Sequence, residues 1–247
     1  MRILLIDNSN SRTKFALGDA DALHGGWRGR LETREICEQS LVAMLEDIPF
    51  DAVVCASVVP EKAEVIRSHF DSRGVAFHLV DHTSPIGMEI DYPHPAQIGA
   101  DRLANAVGVV ARHGAPAIVI DFGTAVTFDV ISAAPAYCGG VIAPGLGAMS
   151  GYLTQRTALL PEVDLAEPHS AIGKSTTEAM RIGAVTGYRG LVRGILEAVR
   201  REMEGHPAVI ATGGDAELIA AGVPEIARYD ADVTLDGIRR IGLAVFG

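Results

Sequence analysis

Aromatic residues make up only 5% of this 247-residue chain, cysteine occurs three times, and no run of basic residues is present. Each shortage excludes a class of function. With 21 Lys and Arg against 31 Asp and Glu, the net charge is -10, and a surface without clustered cations cannot neutralise phosphate backbones, so no nucleic-acid partner is expected. No apolar stretch approaches the roughly 20 residues needed to cross a bilayer. The first residues, Met1 to Asp7, reach a charge too early for a secretory apolar region. Neither a membrane partner nor export is therefore expected. Cys37, Cys55 and Cys138 are odd in number and lack metal-type spacing, which suits reduced thiols in a cytoplasmic protein. What is abundant is aliphatic: hydrophobic residues reach 48% and glycine 27 positions, a composition suited to helices layered on sheets, an α/β protein.

The chain reads as two similar halves. A short apolar run, Ile3 to Ile6, ends in Asp7-Asn8-Ser9-Asn10-Ser11 and resumes at Lys14-Phe15-Ala16-Leu17, the pattern of a β-hairpin. A second instance runs Ile118-Val119-Ile120, Asp121-Phe122-Gly123-Thr124-Ala125, then Val126 to Ile131. Placing Asp7 on Asp121, an offset of 114 (121 − 7), puts Asn10 on Thr124, Thr13 on Thr127 and Phe15 on Asp129. An offset near half the chain points to a duplicated domain rather than a solenoid. Between the hairpins, residues 51–58 and 75–80 read as strands, and 36–47, 61–73 and 99–112 as helices. Residues 83–97, with three prolines, read as a loop. Beyond the second hairpin come a Gly-rich turn at 139–151, long helices near 175–204, a strand at 208–211 and a terminal helix from about 235. The boundary falls near 113–116, dividing the chain into 1–114 and 115–247.

A carboxylate closing a strand beside small polar residues suits phosphate and metal chemistry. Asp can hold a hard cation, and turn N–H groups with Asn, Ser and Thr side chains can receive phosphate oxygens. The same residues are also common turn formers, so it is their double occurrence that favours a functional reading. Gly99-Ala100-Asp101-Arg102 opens a helix. There Asp101 could serve only as a first-turn carboxylate, or as a base beside an Arg that holds an anionic substrate. Gly173-Lys174-Ser175 resembles the end of a P-loop but has Pro168 where that motif needs glycine. Gly145-Leu146-Gly147 lacks the third glycine of a dinucleotide fingerprint, and His78 with His82 lacks the companion pair of a zinc site.

Together these segments resemble the type III pantothenate kinases of the acetate kinase/Hsp70/actin/sugar-kinase superfamily. The match includes the Asp7 turn with Lys14, Ser57-Val58-Val59-Pro60, Tyr92-Pro93, Gly99-Ala100-Asp101-Arg102 and Asp121-Phe122-Gly123-Thr124-Ala125. Gly139-Gly140, Pro144-Gly145, Gly173-Lys174-Ser175-Thr176 and Thr212-Gly213-Gly214 extend it. The resemblance implies two duplicated ribonuclease H-like (actin-like ATPase) domains with an active-site cleft between them. It implies ATP-dependent phosphorylation of pantothenate, the first step toward coenzyme A, in a cytoplasmic homodimer. By the same resemblance Asp101 is the catalytic base, and Tyr92, Gly99, Ala100, Arg102 and Thr176 join it in holding pantothenate. Asp7, Asn8, Ser9, Asn10, Ser11, Arg12, Thr13, Lys14 and Thr124 bind ATP; Asp7 lies near Mg²⁺, and Asp121 holds K⁺ or NH₄⁺.

Three positions depart from the family pattern. Ser9 replaces a glycine of the phosphate turn, His94 replaces an Asn after Tyr-Pro, and Ser175 replaces an Asn before the substrate Thr. If position 9 needs a left-handed backbone, Ser9 costs of order 1 kcal/mol, and restoring glycine is expected to tighten ATP. The alternative function is a non-catalytic accessory or regulatory homologue, against which intact Asp101, Arg102, Asp121 and Thr124 argue.

Overall fold

A computed structural model describes residues 1–247, the side chain of Ser150 excepted. The chain forms two units, 1–113 together with 232–247, and 114–231. In the first unit β1 (Ile3–Asn8) and β2 (Arg12–Gly18) form the expected hairpin, followed by β3 (Leu23–Glu32) and α1 (Glu38–Leu45). Then come β4 (Ala52–Ser57), α2 (Pro60–Asp71), β5 (Ala76–Leu79), a short β6 (Glu89–Ile90) and α3 (Ala100–His113). The second unit contains β7 (Ala117–Phe122), β8 (Ala125–Ile131), β9 (Ala136–Pro144), α4 (Leu146–Arg156) and α5 (Thr176–Glu202). It continues with β10 (Ala208–Gly213), α6 (Ala216–Ala220) and β11 (Arg228–Tyr229). The chain ends in α7 (Val233–Phe246), which belongs to the first unit.

Duplication is visible in the sheets. The first runs β3-β2-β1-β4-β5; within the second unit the order is β9-β8-β7-β10-β11. In both, the central strand pairs antiparallel with the hairpin strand and parallel with the strand on its other side. All six residues of β1 are buried, as a strand covered on both faces requires. Leu4, Ile6, Phe15 and Val53 lie in the first unit's core, and Ile118, Ile120, Phe128 and Val209 in the second's.

The structure alters three sequence expectations. The single offset of 114 fails beyond the turn: Ile6 pairs Phe15, whereas Ile120 pairs Phe128, an offset of 113 (128 − 15). The second turn is one residue shorter. Because a one-residue slip exchanges the faces of a strand, buried Phe128, not Asp129, matches buried Phe15, and Lys14 corresponds to Thr127. Second, much of the Gly-rich segment 139–151 is strand β9 and helix α4. Glycine lowers strand propensity, and Gly25, Gly26 and Gly29 hid β3 in the same way. Third, the expected second domain, 115–247, extends only to 231 as a compact unit, because α7 packs on α3, β1 and β4.

That packing depends on two close approaches. A Cβ at Gly108 would lie 1.9 Å from the Val233 carbonyl oxygen, and one at Gly237 would lie 1.8 Å from that of Ala104. The helices thus meet backbone to backbone. Beside this crossing, the Thr234 hydroxyl donates to Asn105 Oδ1 at 2.7 Å, within the buried interior. Helix α3 carries Asp101 and Arg102 on its first turn, so the chain's last helix braces the segment that holds them.

Candidate active site

In the first unit three segments meet at the carboxyl ends of parallel strands, the usual place for ligands on α/β sheets. Asp7 and Asn8 end β1, and Ser57 ends β4, with Asn8 level with Ser57 in the register. Gly99 opens the third segment; a Cβ built on it would lie 3.5 Å from Val58, the residue after β4.

The β1–β2 turn is closed by the Ser9 N–H donating to the Arg12 carbonyl oxygen, 3.2 Å. Asp7 is 3% exposed. Its carboxylate accepts the Ser9 hydroxyl at 2.9 Å and lies 3.3 Å from the Lys14 ammonium, whose side chain is 44% exposed. Ser9 does not take the left-handed conformation, nor does any other non-glycine among the described residues, and Gly123 in the second hairpin has no positive φ either. The expected cost of Ser9 is therefore absent, since the turn is built without a left-handed residue at this place.

Beneath the turn lies a buried polar network. Asn8 donates from Nδ2 to Thr13 Oγ1 at 2.7 Å and accepts at Oδ1 from the Ser57 hydroxyl at 2.6 Å. Thr13 and Thr33 hydroxyls are 3.0 Å apart, and the Thr33 hydroxyl donates to the Ser9 carbonyl at 2.6 Å. Asn8 and Thr13 thus support the turn from below, whereas Asn10, Ser11 and Arg12 are exposed on it. Thr33 went unnoticed in the sequence because it is 20 residues from its partner Thr13, in a segment with no motif. Left unpaired, each of these buried groups would cost about 1–3 kcal/mol.

At the start of α3 the Gly99 carbonyl accepts from the Arg102 and Leu103 N–H groups, and Asp101 Oδ1 accepts the Arg102 N–H at 2.8 Å. A Cβ on residue 99 would stand 2.6 Å from that same Oδ1. Gly99 is the one residue that leaves the Asp101 carboxylate its place. Asp101 is half-buried, and Arg102 is 9% exposed. Tyr92, also half-buried, lies in the loop ahead of them.

The second unit repeats the plan with different chemistry. Asp121 is the penultimate residue of β7, level with Thr127 of β8 and Thr212 of β10. Gly213 follows with φ +95°; a Cβ there would lie 2.6 Å from Asp121 Oδ1 and 2.5 Å from the Phe122 carbonyl oxygen. The turn itself is pinned by the Gly123 N–H to the Ala125 carbonyl and by the Gly145 N–H to the Thr124 carbonyl, 3.1 Å each. Thr124 is exposed at its tip. Thr176 is the exposed first residue of α5, where the Ser175 hydroxyl accepts the Glu178 N–H at 3.2 Å and Glu178 Oε2 accepts the Lys174 N–H at 2.7 Å. Gly173-Lys174-Ser175 is thus a helix cap.

Two ribonuclease H-like units, each with a carboxylate at the end of its central strand beside a hairpin turn, define an actin-like ATPase fold. A family model described as type III pantothenate kinase matches residues 3–198. A curated type III pantothenate kinase of Akkermansia muciniphila is 53% identical over 97% of this chain and 97% of its own length. Solved structures of similar fold include a putative Baf family transcriptional activator from Campylobacter jejuni, 19% identical over 98% of each chain with a TM-score of 0.64. Another is a putative 2-dehydro-3-deoxygalactonokinase from Sinorhizobium meliloti, 12% identical over 99% of each chain, also with a TM-score of 0.64. The chain belongs to the type III pantothenate kinase family.

Proposed function

We propose that this protein transfers the γ-phosphoryl group of ATP to the terminal hydroxyl of pantothenate, the first step toward coenzyme A. The observation that carries the reading is the Gly99–Asp101 arrangement, in which a missing side chain leaves room for a half-buried carboxylate beside Arg102. Phosphoryl transfer asks little covalent chemistry of a protein, so positioning and charge neutralisation dominate. Asp101 accepts the hydroxyl proton as transfer proceeds, because an alcohol is too weak an acid to lose it beforehand. Arg102 suits the pantothenate carboxylate, with Gly99, Ala100 and Tyr92 of the same unit beside it; Thr176, in the second unit, is a further pantothenate contact in this reading. Exposed Asn10, Ser11 and Arg12, with Lys14 and Ser9, face the nucleotide, while Asn8 and Thr13 hold the turn in shape; Thr124, in the second unit, is a further nucleotide contact in this reading.

Mg²⁺ would supply neutralisation of the phosphate oxygens, and Asp7 is the carboxylate of the phosphate turn fit to hold it. The described residues contain no cluster of three or more His, Cys, Asp or Glu side chains for a metal. That suits an ion held by one carboxylate together with substrate phosphates and water. Asp121, in the space kept by the absent side chain of Gly213, fits a monovalent cation, K⁺ or NH₄⁺. No helix among the described residues is long and apolar enough to cross a membrane, and the reduced-thiol reading of the cysteines supports a cytoplasmic location.

A coupled assay of ADP release with pantothenate, Mg²⁺ and K⁺ tests the function; no pantothenate-dependent turnover would overturn it. In the same preparation Ser9→Gly, once expected to tighten ATP, is expected to weaken it about threefold, since it removes the hydroxyl from Asp7 without relieving strain. A tighter nucleotide complex would contradict the accommodated turn.

A homodimer is supported by helix α5. Gly183, Gly187, Gly190 and Gly194, at intervals of four, three and four, lie exposed along one face with nothing within 4 Å of a Cβ at any of them. Each glycine costs a helix roughly 1 kcal/mol against alanine, and such a flat stripe admits close approach of a second helix. Exposed Tyr152, Leu159 and Ile172 add apolar surface to the same unit. Gly187→Leu is expected to lower the mass seen by light scattering from two chains to one; an unchanged mass places the dimer contact elsewhere.

A further inference from the structure

Within the second unit, strands β8 and β9, the connection between them and the last turns of α5 line a cavity of about 670 Å³ that opens to the surface, within the size range of small-molecule sites. Its floor is Val130, Val141, Ile195, Val199 and Met203, several of them packed on the unit's core. The space exists because Gly140 and Ala198, which also line it, have little or no side chain. The lining face of α5, residues 195, 198, 199 and 202, is turned about 100° around the helix from the glycine stripe.

The polar end of this cavity has one sign of charge. Glu202 and Glu204 line it, and Glu202 is the last residue of α5, where unpaired backbone carbonyls add negative potential. Among the described residues no Lys, Arg or His lines it. The nearby cations of α5 are used elsewhere: Arg200 donates to the Glu225 carbonyl, and Arg201 pairs with Glu197.

We propose that this cavity binds a small amphipathic cation, an organic amine with an apolar body, whose ammonium group lies against Glu202 and Glu204. Apolar walls reward burial of the body at about 25 cal/mol per Å², and the carboxylates select the sign of the head. The same carboxylates repel ATP and other phosphorylated or carboxylate-bearing molecules, so this is not a second place for the substrates. The proposal stands apart from the kinase reading and survives its failure.

Cys138 lines the cavity and its thiol is exposed, which supplies a reporter. Cys37 is also exposed, whereas Cys55 is buried, with its thiol pushed up by desolvation. In a Cys37→Ser background N-ethylmaleimide is therefore expected to label Cys138 alone. Hexylamine should slow that labelling about fivefold more than hexanoate or hexanol at equal concentration, a preference in the range of exposed ion pairs. Glu202→Gln with Glu204→Gln should erase the difference, and Ala198→Trp, which fills the cavity, should abolish protection while leaving ADP release unchanged. Equal protection by hexylamine and hexanoate, or none by either, overturns the proposal. So does Cys138 that labels only after unfolding, or a filled variant whose mass falls to a single chain, since the cavity would then be an interface between copies.

Discussion

Asp101→Asn is expected to lower pantothenate-dependent ADP release by about 10²–10⁴-fold, the usual contribution of a positioned general base, while ATP affinity stays within about twofold. Asn keeps the shape of the side chain and an oxygen able to accept the Arg102 N–H, as Asp101 Oδ1 does at 2.8 Å. What it loses is basicity toward the acceptor hydroxyl. It also loses a negative charge at the N-terminus of α3, worth about 0.3–1 kcal/mol. That predicts a melting point lower by at most about 4 °C for a chain of this size. The two measurements separate chemistry from folding: a large loss of turnover with a small thermal shift supports the base role, and near-normal turnover removes it.

Gly237→Ala should act on the fold itself. Its Cβ would lie 1.8 Å from the Ala104 carbonyl oxygen, and no rotamer can move a Cβ or a backbone oxygen aside. Helices α3 and α7 must separate, at a cost of about 2–3 kcal/mol or more, which lowers the melting point by about 5–10 °C. Turnover should fall with it, because α3 carries Asp101 on its first turn. Gly108→Ala meets the Val233 carbonyl oxygen at 1.9 Å from the opposite helix and should behave alike. Gly25→Ala, on β3 with nothing within 4 Å, is the control, expected to change stability by less than about 1 kcal/mol. Equal melting points for Gly237→Ala and Gly25→Ala would refute the tight crossing.

Much of the first unit's outline was legible because its elements carry strong local signals. Ile3 to Ile6 is a continuous apolar run, Pro60 marks the start of a helix, and Gly99-Ala100-Asp101-Arg102 opens another. The same signals misled where glycine stood inside a strand. Gly139 and Gly140 read as a turn, yet both are paired in β9 with residues of β8. The candidate site divided similarly. Asp7, Asp101 and Asp121 stood out by type and setting, but Thr33 and the supporting role of Asn8 emerged only from contacts that fold distant segments together.

By itself the sequence determined a duplicated α/β protein, because strand periodicity and the two Asp-bearing hairpins are properties of consecutive residues, and its motifs carried the resemblance to the type III pantothenate kinases. It also picked out the Gly-Ala-Asp-Arg turn. Only the tertiary structure decided that the second hairpin is one residue shorter, that Ser9 sits without strain, and that α7 belongs to the first unit. These outcomes depend on register, backbone torsion and the fit of Gly108 and Gly237 between two helices 129 positions apart (237 − 108) in the chain. A local pattern can announce an apolar helix face; which surface it covers is settled by the partner whose backbone it is shaped to meet.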